Sequence, residues 1–78
     1  MNILNVEQKE KYKKLGLNIA YYRKDRGYTQ LVLAEHLDIE RTHMQRIEAA
    51  TSGVSLDVIF KLSDVLQVPV HKFFEFRD

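Results

Sequence analysis

The sequence has no cysteine, which excludes disulfides and thiolate metal sites and agrees with a reducing cytoplasm. No apolar run approaches the ~20 residues that a membrane-spanning helix needs. Residues 1–6 are followed at once by charge, so no signal peptide is expected. No stretch alternates like a strand, no segment repeats, and none is of low complexity. Charge of one sign is also scarce: the formal net charge is +1. At 78 residues the chain makes one domain, residues 1–78, with a small core that is marginal alone. A partner subunit would add buried surface.

What is present is helical periodicity and an uneven spread of charge. Residues 1–34 carry seven Lys/Arg against three Asp/Glu, whereas residues 35–78 carry five against eight. A molecule divided in this way can turn one side toward phosphate. Lys9 to Lys14 alone would equally suit an ordinary solvated helix face.

The chain is organised around residues 29–48. Leu33, Ala34 and Leu37 share one face of a short helix, and Met44 and Ile47 share one face of the next. Asp38 and Ile39 fall at the turn between them. The second of these helices, expected over residues 41–49, shows Arg41, Thr42, His43, Gln45 and Arg46 away from its apolar stripe. An α-helix fits the major groove of B-form DNA, and Arg can pair with guanine there.

Around this pair the sequence predicts three more helices. The first should run over residues 6–26, with Asn5 and Gln8 at capping-box spacing and residues 1–4 frayed. Tyr12, Leu15, Ile19 and Tyr22 form its buried stripe, so Tyr12 and Tyr22 face the core rather than stack on bases. Gly16 costs ~1 kcal/mol there relative to Ala, which a close helix crossing would explain. Gly27 is a left-handed stop beyond Lys24 and Arg26. Thr29 caps helix two and leaves Leu31 and Val32 off the stripe, either exposed or against helix one. Glu40 stands at the N-cap of helix three. Gly53 is the expected turn point of the following loop. Ser55 caps helix four, whose inner face is Ile59, Leu62, Ser63 and Leu66. Pro69 opens helix five from its first position. Phe73, Phe74 and Phe76 are too many aromatics for so small a core, so some should be exposed.

The segments LGLNIAYYR (15–23), GYTQLVLAEHL (27–37), RIE (46–48) and SLDVIFKLSDVLQV (55–68) resemble the Cro/C1-type (XRE) helix-turn-helix family of phage repressors and bacterial regulators. The likeness spans residues 15–74, and the segment RTHMQRIE with the Phe-Phe ending is similar to small restriction–modification controller proteins. The resemblance implies an all-α, compact five-helix, lambda-repressor-like domain, with the helix-turn-helix at 29–49. It implies that Gln30 contacts a phosphate and braces the recognition helix, that Arg41, Thr42 and Arg46 reach base edges, and that His43 and Gln45 lie beside the backbone or bases. It implies an ion pair between Arg23 and Glu48 that ties helix one to helix three. Asp38 stands where the family commonly has Gly. The loop at 49–53 lacks the usual basic or amide side chains, so its phosphate contacts would fall to backbone N–H groups, Thr51 and Ser52.

The expected function is therefore a double-stranded DNA-binding transcriptional regulator. It would act as a homodimer on a palindromic operator, with residues 55–75, and Val70, Phe73 and Phe76 in particular, as the dimer surface. The alternative is a protein-interaction module that keeps the fold without reading DNA. No cofactor, small-molecule ligand or membrane contact is expected. His36, Glu40 and His43 cannot share a helical face across the turn, so no metal site is expected. Ser55 has no His–acid partnership around it, and nothing points to an enzyme.

Overall fold

The computed structural model describes residues 6–76. Among them it contains five α-helices and no strand: α1 Val6–Asp25, α2 Gln30–Leu37, α3 Arg41–Ala49, α4 Leu56–Leu66 and α5 Val70–Phe73. The expectations for residues 1–5 lie outside this range.

The long helix α1 is the platform. Leu15 and Ile19 are buried, and Tyr12 and Tyr22 pack half-buried beside them. Gly16 sits where α1 crosses α3. A Cβ at that position would lie 2.6 Å from the Glu48 carbonyl oxygen and 2.8 Å from that of Ile47. Both are backbone atoms, so the crossing distance itself requires glycine. The helix ends one residue earlier than expected, and Gly27 turns the chain at φ 80° while its N–H donates to Lys24 O.

Helix α2 starts where Thr29 Oγ1 accepts the Val32 N–H at 3.1 Å. Its stripe of Leu33, Ala34 and Leu37 is buried. Leu31 and Val32 are exposed, at 52% and 40%, so the first of their two alternatives holds. Asp38 takes the left-handed conformation at φ 57°, which closes the turn without glycine. Ile39 follows as a half-buried plug on the core.

Met44 and Ile47 anchor α3. The turn after it corrects the sequence reading, because the left-handed residue is Ala50 at φ 59° and not Gly53. The Ala50 methyl is buried. Burial of about one methyl group, worth ~0.8 kcal/mol, offsets much of a left-handed cost of ~1–2 kcal/mol. The Thr51 N–H then donates back to Arg46 O at 3.0 Å.

Ser55 caps α4 by accepting the Val58 N–H at 3.1 Å. Ile59, Leu62 and Leu66 are buried as expected, and Val58 joins them. The C-terminal carbonyls of α4 find distant partners: Arg26 Nε donates to Leu66 O at 2.9 Å. Pro69 stands one residue before α5 rather than at its first position, a shift within the usual ambiguity of helix ends.

Phe73 is fully buried, with its ring edge-on to Tyr22 at 5.7 Å. This corrects its expected place in a dimer surface, because a side chain enclosed by its own monomer cannot be offered to a partner. Val70 and Phe76 are half-buried and Phe74 is exposed. Asn18 Nδ2 donates to Phe73 O at 2.9 Å and Glu75 O at 3.2 Å, which fastens the C-terminal segment to α1.

Candidate nucleic-acid interface

The α2–turn–α3 unit is held from behind by a polar clamp. Arg23 Nε donates to Glu48 Oε2 at 2.7 Å, and Nη2 donates to Oε1 at 3.1 Å. Arg23 Nη1 reaches the Tyr28 carbonyl at 2.8 Å. Gln30 Nε2 donates to Glu48 Oε1 at 2.9 Å. One carboxylate near the end of α3 therefore joins α1 and α2, and Arg23 in turn holds the α1–α2 turn. Both charged side chains are nearly enclosed, at 10% and 8% exposure, and such a planar two-bond pair is strong and directional.

Gln30 occupies the bracing position that the family pattern implies. One amide N–H is spent on Glu48, and the amide retains a second donor.

The front of α3 is the opposite case. Arg41, Thr42, Gln45 and Arg46 are exposed, and His43 is half-buried. At 100° per residue, positions 41, 42, 45 and 46 form one continuous face. Neither Arg41 nor Arg46 makes an ion pair among the described residues. Two free guanidinium groups, a hydroxyl and an amide thus stand on a helix whose other side is locked into the core.

The loop after α3 is poorer in donors than the sequence suggests. Thr51 spends its N–H, and its hydroxyl points at 3.5 Å, on Arg46 O. Ser52 Oγ donates to Gly53 O at 3.2 Å. Among the described residues no three His, Cys, Asp or Glu side chains are placed to hold a metal ion, and no helix is long and apolar enough to cross a membrane.

Sequence reasoning missed Leu17 and Tyr21, which are large, apolar and exposed on the outer side of α1. The signal was available: both fall off the Tyr12–Leu15–Ile19–Tyr22 stripe. The long-range bonds of Arg26 and Asn18 were missed for lack of any local signal.

The profile of the family described as Helix-turn-helix matches residues 19–73. The transcriptional regulator SinR of Bacillus licheniformis is 32% identical over 65 residues, covering 82% of this chain and 59% of that protein. The chain thus spans about three fifths of that relative's length. Among solved structures, the restriction-modification controller protein C.AhdI from Aeromonas hydrophila superposes with a TM-score of 0.77 at 27% identity, covering 81% of this chain and 96% of that one. The N-terminal DNA binding domain of SinR from Bacillus subtilis gives 0.75 at 30% identity, covering 83% and 96%. With the motif on α2 and α3, the clamp behind it and these likenesses together, the chain belongs to the helix-turn-helix family, in its Cro/C1 (XRE) branch.

Proposed function

We propose that the chain, as one domain over residues 1–78, is a sequence-specific regulator of transcription that binds double-stranded DNA. It acts as a homodimer on a two-fold symmetric operator, in the cytoplasm, with α3 in the major groove. The observation that carries this reading is the asymmetry of α3: Met44 and Ile47 are buried while Arg41 and Arg46 are exposed and unpaired. A helix held this firmly with free guanidinium groups is preorganised for base edges and phosphates. The likeness to a restriction-modification controller and to a transcriptional regulator supports the same reading.

Selection of bound sequences from random duplexes tests it. Enrichment of a symmetric site supports regulator and dimer together. Enrichment of a single half-site keeps the reader and removes the dimer. No enrichment removes both.

A second reading has its own observation. Leu31 and Val32 are exposed apolar side chains on α2, as a protein-interaction module would present. Salt separates the two, because phosphate binding weakens linearly in log[salt] and an apolar contact barely responds.

A further inference from the structure

The C-terminal aromatics form the middle of a surface strip whose two edges have opposite character. Phe74 and Phe76 line a groove of about 490 Å³ with Leu15 of α1 and Leu56 and Ile59 of α4. Phe76 also lines a second hollow of about 350 Å³ with Lys14, Leu17 and Tyr21 of α1. The strip is therefore continuous from α1 across the C-terminal segment to α4.

Its α1 edge is a ridge of Leu17 and Tyr21, exposed at 68% and 62%. They are four residues apart, so about one turn separates them. Lys13, Lys14 and Lys24 flank them, opposed by Glu10, which pairs with Lys13 at 3.5 Å, and by Asp25, which pairs with Arg26. The α4 edge is a ridge of Leu56 and Phe60, exposed at 66% and 53% with the same spacing. Asp57 and Asp64 flank these, opposed by Lys61, which pairs with Asp57 at 3.2 Å. Neither Lys24 nor Asp64 makes an ion pair among the described residues. One edge is thus apolar and basic, the other apolar and acidic, at matching pitch.

A surface with a basic edge, an aromatic centre and an acidic edge complements itself under a two-fold rotation. The rotation lays each copy's basic edge on the other's acidic edge. We propose that the occupant of this strip is a second copy of the chain, and that the α1 ridge of each protomer packs on the α4 ridge of its partner. The inference rests on the dimer reading above and extends the surface to Leu17 and Tyr21, which that reading did not include. Each ridge contact occurs twice and the Phe74–Phe76 centre lies between them. That repetition doubles each contact's contribution toward the roughly 1,200–2,000 Å² that a stable interface buries.

Charge exchange tests it. One variant carries Lys14→Glu and Lys24→Glu, so both of its edges are acidic. A second carries Asp57→Lys and Asp64→Lys, so both of its edges are basic. Like charges across an interface oppose association, so sedimentation should show each variant alone self-associating at least tenfold more weakly than the wild type. An equimolar mixture should recover a heterodimer, because each acidic edge then meets a basic one. The milder pair Lys24→Gln and Asp64→Asn, with circular dichroism on every variant, guards against misfolding and should weaken association in the same direction. A wild-type dimer unaffected by either exchange, or weakened variants that fail to recover on mixing, overturns this pairing and leaves the dimer standing. A wild type that stays monomeric overturns the dimer reading and this pairing with it.

Discussion

At the scale of single residues, the chain's stability rests on positions that tolerate no substitute and on one that would improve. Arg23 and Glu48 are nearly enclosed and joined by two hydrogen bonds. Truncating one partner leaves the other charge buried and unpaired, at a cost of about 3–5 kcal/mol. Arg23→Ala should therefore lower the unfolding free energy by that amount, read as a lower urea midpoint at unchanged m-value, and DNA affinity should fall with the folded fraction. A midpoint equal to the wild type's would remove the clamp from the account of stability. Asp38 is the converse. It holds φ 57°, which costs a non-glycine residue about 1–2 kcal/mol; glycine would remove that strain but forfeit about 0.5–1 kcal/mol because its unfolded chain is freer. Asp38→Gly should thus stabilise the protein by about 0.5–1 kcal/mol in the same assay without altering the sequence that is bound. Loss of stability would mean that the Asp38 side chain contributes where no bond is seen.

At the scale of elements, the proposed reading of DNA requires α3 to be rigid on one side and vacant on the other. Arg41 stands in its first turn, the end that enters a groove, with no ion pair to give up. Arg41→Ala should cost about 1–3 kcal/mol of discrimination at one base pair of each half-site, read from competition between operator variants, while thermal stability stays unchanged. A uniform loss on all sequences would reassign Arg41 to phosphate. The elements themselves were legible because their signals are local: the stripes of α1, α2 and α4 repeat at helical spacing, and Thr29 and Ser55 sit at their caps. What local pattern could not supply was the sorting of similar residues by long-range contacts. Phe73 was drawn inward by Tyr22 while Phe74, its neighbour, was left outside. Ala50, not Gly53, makes the left-handed turn, with its methyl buried. The bonds of Asn18 and Arg26 close over 55 and 40 residues, a separation at which spacing carries no information. The interface face of α3 was readable, since a helix with two buried residues must show the rest. Which of those side chains touch bases depends on the partner, so it was not.

At the scale of the whole molecule, size limits which operators can be read. The protomer's principal extents are 31 × 26 × 19 Å. Two copies joined over a shared strip, with no linker between strip and reading helix, can place equivalent points no farther apart than twice the longest extent. Half-sites one turn apart, near ~34 Å, fall well inside that limit, and half-sites two turns apart, near ~68 Å, fall outside it. Lengthening the operator's centre by half a turn, about 5 base pairs, would carry the second half-site to the opposite face of the duplex. Lengthening it by a full turn would restore the face but exceed the reach. Both insertions should therefore reduce affinity to that of an isolated half-site, as measured by titration of labelled duplexes. A flexibly joined pair would behave differently, because it would recover on the full-turn insertion. Recovery there would mean that the two reading helices are not fixed by a rigid contact between protomers, and the strip joining α1 to α4 would lose its role in setting operator spacing.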